Sequence, residues 1–199
     1  MRTLNLSKLA QKHDYLREEG KDRLVAIMDD LFSYVGSRIE ELVLRNSESV
    51  IDMTVFTLCD HDNTGYISSL DLSYCSNVTD KALKRISQYR CFDGSSLRSL
   101  WLTGCNRVTE EGLKALLTGE TAKSLSSIDV SKCNRVKCIS CFNENSKHCV
   151  RSLRAASCGN LRQVSLSLPS VSTIRDISLP QCEALTSVRC ANRSQVFYS

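Results

Sequence analysis

An apolar template spaced i, i+3, i+5 recurs seven times along this chain and constrains its fold more than any other feature. It reads Met1/Leu4/Leu6, Ile39/Leu42/Leu44, Ile67/Leu70/Leu72, Leu97/Leu100/Leu102, Leu125/Ile128/Val130, Val150/Leu153/Ala155 and Ile174/Ile177/Leu179, and all 21 positions are apolar. Successive third positions lie 38, 28, 30, 28, 25 and 24 residues apart. Three residues beyond them stand Leu9, Ser47, Cys75, Cys105, Cys133, Cys158 and Cys182, so five consecutive cysteines fall in register. A short strand explains the alternation, because successive side chains of a strand face opposite ways and only one set enters a core. At the cysteine position a small side chain lets the chain turn inward and satisfies buried backbone groups. A further apolar residue follows three positions later, as Val50, Val78, Val108, Val136, Leu161 and Leu185.

Behind some of these strands the sequence switches to helical signals. Thr79-Asp80 and Thr109-Glu110 each combine a capping oxygen with an acid near the positive end of a helix. Leu83/Ile86 and Leu113/Leu116 supply the buried faces. The stretch DRLVAIMDDLFSYVG predicts a long helix in the first unit. From Cys133 onward the pattern shortens to C-xx-V-xx-I-x-C, C-xx-L-xx-V-x-L and C-xx-L-xx-V-x-C. These intervals leave too little chain for a full helix and predict extended or 3-10 segments.

With the pattern LxxLxLxxC, and above all with LSYCSNVTDKALKRI and LTGCNRVTEEGLKAL, the chain resembles the leucine-rich repeats. The likeness is to their cysteine-containing variety, ribonuclease-inhibitor-like and similar to the repeat part of F-box proteins. The resemblance implies an α/β solenoid with a curved parallel sheet on its concave side. Helices, then shorter extended or 3-10 segments, would line the convex side. One solenoid of about seven repeats would span residues 1–199, with an irregular first repeat over 1–36, helix-backed repeats over 37–123 and shorter ones over 124–199. The resemblance also implies non-catalytic protein recognition, as a scaffold, subunit or adaptor of a larger intracellular assembly. The alternative it carries is a substrate-recognition component of an SCF-type ubiquitin ligase without its own F-box, since residues 1–36 read as a repeat. Neither end shows an amphipathic cap, so protein partners in a stable complex are expected to cover the ends.

Three local motifs compete with the repeat. DHDNTGYISSLD fits a calcium loop, with Asp60, Asp62 and Thr64 at positions 1, 3 and 5, Gly65 at the turn, the Tyr66 carbonyl, and Asp71 at position 12. Yet Ile67, Leu70 and Leu72 are in repeat register, and an exiting helix with a bidentate glutamate is missing. The stretch is read as a joint between repeats, with calcium the weaker alternative. Cys138-Ile-Ser-Cys141 with His148-Cys149 suggests zinc. Repeat alignment, however, matches Cys141 to Leu166 and Cys190, and Cys138 to Gln163 and Ser187, on opposite faces. His13, His61 and His148 are scattered, and no phosphate-binding glycine loop or HExxH motif occurs, so neither enzyme activity nor a cofactor is expected.

The strand residues pointing away from the core form a ladder. Its middle column reads Asn5, Val43, Asp71, Trp101, Asp129, Arg154 and Ser178, beside small residues at Ser69, Ser99, Ser127 and Ser152 and at Ser73, Thr103 and Ser131. Trp101, Asp71, Asp129, Arg45, Arg154 and Val43 are therefore the candidate partner-binding residues. Tryptophan anchors interfaces, and flanking acids select a basic partner residue. A second candidate surface is the edge with Arg107, Lys132, Arg135, Lys137 and Arg162, which lacks the interleaved aromatics of a nucleic-acid site. Charge is segregated along the chain. Residues 1–65 carry 8 basic and 12 acidic side chains, whereas residues 95–199 carry 14 and 7. The odd count of 11 cysteines fits reduced, buried thiols in an intracellular, cytoplasmic setting better than a disulfide framework. No apolar run reaches the roughly 18 residues of a membrane span, and no membrane partner is expected.

Overall fold

The computed structural model describes residues 2–35, 38–61, 64, 66–89, 97–141, 149–166, 176–190 and 196–197; Met1, Asp62, Gly65, His148 and Ile174 lie outside the described residues. Helices and strands alternate in the first half: β1 (Thr3–Asn5), α1 (Ser7–Asp14), α2 (Arg17–Val35), β2 (Glu41–Val43), α3 (Asp52–Asp60), β3 (Ser69–Asp71), α4 (Asp80–Ser87), β4 (Ser99–Trp101) and α5 (Glu110–Thr118). A 3-10 turn, Glu120–Lys123, leads to β5 (Ser127–Asp129). Among the described residues only strands follow: β6 (Cys138–Cys141), β7 (Ser152–Arg154), β8 (Gln163–Leu166), β9 (Asp176–Ser178), β10 (Ser187–Cys190) and β11 (Val196–Phe197). The protein is α/β. Eight strands form one parallel sheet in the order β1-β2-β3-β4-β5-β7-β9-β11, and β6, β8 and β10 form a second, three-stranded parallel sheet.

Register follows the apolar template. Leu4, Leu42, Leu70, Leu100, Ile128, Leu153 and Ile177 are successive partners across the large sheet. Leu42, Leu70 and Leu100 are at most 1% exposed, and burying each contributes roughly 1.5–3 kcal/mol. Parallel neighbours need crossover connections. Helices supply these from β1 to β5, and among the described residues the later connections hold the short strands β6, β8 and β10. β11 adds an eighth strand that the template does not mark. Val196 pairs with Ile177, but the first template position of that unit is Arg193.

Each helix-backed repeat is tied to the next at its helix start. The Thr79 hydroxyl accepts the Lys81 N–H and the Thr109 hydroxyl the Glu111 N–H, so α4 and α5 begin where the threonines predict. The acid that opens each preceding helix then holds the next threonine. Asp52 accepts the Thr79 N–H (2.8 Å) and hydroxyl (2.6 Å), and Asp80 accepts the Thr109 N–H (2.8 Å) and hydroxyl (2.7 Å). Gly112 is the consequence: a Cβ there would collide with the Asp80 carboxylate. Leu83, Ile86, Leu113 and Leu116 are buried on the inner faces of α4 and α5.

At the opposite end of each strand the chain turns inward through a fixed device. The thiols of Cys75, Cys105, Cys133, Cys158 and Cys182 donate to the carbonyls of Leu44, Leu72, Leu102, Val130 and Ala155, one repeat upstream, at 2.9–3.2 Å. The residue before each of these cysteines adopts positive φ: Tyr74 60°, Gly104 71°, Lys132 59°, Ser157 55° and Gln181 58°, with Asn46 at 62° before Ser47. A left-handed backbone costs a non-glycine residue roughly 1–2 kcal/mol, and here its N–H bonds the neighbouring repeat in return. Tyr74 donates to the Thr103 carbonyl at 2.6 Å, and Lys132 to that of Ala156 at 2.7 Å.

The first repeat departs from the pattern. Leu9 does not form an inward turn but lies within α1, half-buried, while Ala10 is fully buried. The Asn5 side chain accepts the Ser7 N–H at 3.0 Å, and α1 follows directly after β1. The long helix predicted after Lys21 begins earlier, at Arg17, and buries Leu24, Met28 and Phe32 at four-residue spacing. Gly20 permits the tight α1–α2 hairpin, because a Cβ there would strike the His13 carbonyl.

Candidate functional site

The middle column of outward strand residues runs Asn5, Val43, Asp71, Trp101, Asp129, Arg154 and Ser178 across adjacent strands. Several members of the column serve the backbone. Asn5, Asp71 and Asp129 each accept the N–H two residues on, from Ser7 (3.0 Å), Ser73 (2.9 Å) and Ser131 (2.8 Å). The other Asp71 oxygen is bound by the Arg45 guanidinium, and the aspartate is 4% exposed. Asp71 is therefore a neutralised wall and not a free acid awaiting a basic partner. Val43 is likewise buried, whereas Trp101 and Asp129 are half-buried and Arg45 and Arg154 are exposed.

Between β2, β3 and β4 this face dips into a hollow of about 400 Å³, lined by Glu41, Arg45, Asp71, Ser73, Tyr74, Trp101 and Thr103. Its chemistry is mixed: two aromatic rings, the Arg45–Asp71 pair, and the Ser73 and Thr103 hydroxyls. Glu41 adds a carboxylate that accepts the Thr3 hydroxyl at 2.6 Å. Tyr74 belongs to this site and is absent from the sequence-based set. Its left-handed turn lays the ring over Gly104, where any Cβ would meet it, and Lys132 Nζ stands 5.8 Å from the ring centroid and 3.3 Å from the phenol oxygen. The available signal was Gly104 itself, the one glycine at these turn positions.

A hollow of about 440 Å³ at the last repeat is lined by Leu179, Cys182, Leu185 and Val188, among others. Arg107, Lys132, Arg135, Lys137 and Arg162 are all exposed along the edge where strands give way to turns.

Asp60, Thr64 and Asp71, described residues of the calcium reading, are each engaged elsewhere. Asp60 pairs with Arg85 and Asp71 with Arg45. The Thr64 hydroxyl donates to the carbonyls of Leu58 and His61, and Asp62 is outside the described residues. Cys138 stands beside Gln163 and Cys141 beside Leu166 in the second sheet. His13 sits at the end of α1, and His61 lies edge-on to Phe32, 6.0 Å away. Among the described residues no three His, Cys, Asp or Glu side chains are grouped to hold a metal. Burial pushes the thiols of Cys75 and Cys133 up to about 12 and that of Cys158 to about 11, so none of these is a ready thiolate nucleophile. Among the described residues no helix is long and apolar enough to cross a membrane. No family model matches the chain, and no curated protein matches it.

Proposed function

We propose that the chain is a leucine-rich-repeat solenoid acting as a non-catalytic protein-recognition scaffold, a subunit or adaptor that binds its partner through the concave face. The observation that carries this reading is the hollow walled by Trp101 and Tyr74 beside the Arg45–Asp71 pair. Trp, Tyr and Arg dominate binding hot spots because they combine large contact area with a polar handle. Paired strands hold these side chains in place before the partner arrives, so little ordering entropy is lost on association. Because Arg45 neutralises Asp71, the hollow suits a partner side chain that is aromatic or long and amphipathic. Such a group inserts between the rings and reaches Glu41 or the hydroxyls with its polar end. Affinity capture with the full chain tests this: wild type recovers a stoichiometric partner set, and Trp101→Ala reduces recovery at least roughly tenfold, the scale of one hot-spot residue. Equal recovery by both proteins refutes the assignment.

A further inference from the structure

Five cations along the turn edge are left unused by the concave hollow, and we propose that this strip binds an acidic peptide segment of a partner protein. The repeat places them together. Arg107 and Arg135 stand two residues past Cys105 and Cys133, at equivalent positions of neighbouring repeats. Lys137 and Arg162 are likewise equivalent, and the Arg162 N–H donates to the Lys137 carbonyl at 2.8 Å. Lys132 occupies the left-handed turn between them, steadied by Tyr74. Adjacent repeats stack at roughly 4.8 Å where strands pair, so the strip covers the length of a few extended residues.

Their charge is unpaired among the described residues. Lys21, Arg23, Arg45, Arg85 and Lys123 each face a carboxylate, whereas none of the five edge cations does so among the described residues. Exposed cations in register attract an anionic partner and speed its docking, with a strong dependence on salt. The form of the anion follows from the borders. Glu110 Oε2 accepts the Lys137 backbone N–H at 3.4 Å, Glu111 is the next residue, and Asp129 ends β5 on the strand side, so carboxylates border the basic strip. A nucleic acid, with phosphates along its whole width, would press against those carboxylates. It would also find no aromatic residues interleaved among the five cations for its bases to stack on. A single extended peptide with several Asp or Glu residues fits between the borders.

The probe is a fluorescein-labelled oligoglutamate peptide, followed by anisotropy with the full chain, with oligothymidylate and a short DNA duplex as competitors. Binding is expected at about 50 mM salt and at least tenfold weaker at about 300 mM, as the screening length shrinks. Arg135→Glu/Lys137→Glu abolishes it, and the neutral pair Arg135→Gln/Lys137→Gln weakens it severalfold in a protein of unchanged melting temperature. Trp101→Ala leaves it intact, which separates this surface from the concave hollow. The proposal is overturned by no oligoglutamate binding at low salt, by undiminished binding in the glutamine pair, or by nucleic acid displacing the peptide at equal charge.

Discussion

Each of Cys75, Cys105, Cys133, Cys158 and Cys182 acts as a small neutral donor, giving its proton to a carbonyl of the preceding repeat. For Cys75, Cys105, Cys133 and Cys158 burial is the largest influence on the thiol, and it raises Cys75 and Cys133 from 9.0 to about 12. As pH rises, the unfolded chain therefore loses its thiol protons before the fold does. The resulting stabilisation is complete below about pH 9 and is lost progressively towards pH 12. A urea midpoint measured by Trp101 fluorescence should fall between about pH 8 and about pH 10.5, and fall less in Cys75→Ala/Cys133→Ala. Identical pH slopes in the two proteins would show that the thiols do not carry the effect. Ser47 fills the same position differently: its hydroxyl donates to Asp14 at 2.7 Å, linking the turn to α1.

Between elements, the decisive contact is the carboxylate that opens one helix and holds the threonine that caps the next. Thr109→Ala removes the cap of α5 and one Asp80 partner together, and should cost about 1–2 kcal/mol in urea unfolding. Gly112→Ala forces the Asp80 carboxylate away and should cost about 1–3 kcal/mol. Gly159→Ala provides the contrast, since its Cβ would lie 3.8 Å from Asn134 Oδ1, and a change within about 0.5 kcal/mol is expected. Equal losses in both glycine variants would contradict this account of helix spacing. The helix starts at Thr79 and Thr109 were legible in the sequence because capping is local. The Asp80–Thr109 link was not, because it depends on how closely two units 29 residues apart approach. Leu9 misled for a similar reason: α1 begins at Ser7, directly after β1, which apolar spacing alone does not register.

Across the whole molecule, the sequence placed the outward column well because strand alternation has a period of two and the template sets its phase. It read the column's electrostatics less well. Arg45 lies outside the column, and only the pairing of β2 with β3 brings it to Asp71, turning an apparent acid into a neutral wall. Tyr74 was missed because a left-handed turn, which no tyrosine signals, lays its ring beside Trp101. Two surfaces thus stand apart on the one chain, an aromatic hollow and a basic strip. Hydroxyl-radical footprinting of the captured complex tests the first most directly, through the oxidation rates of Trp101 and Tyr74 in free and bound protein. The account predicts at least roughly fivefold protection of both rings, as expected of anchors desolvated at the centre of an interface. Equal oxidation rates in the free and bound protein would contradict it and move recognition away from this face.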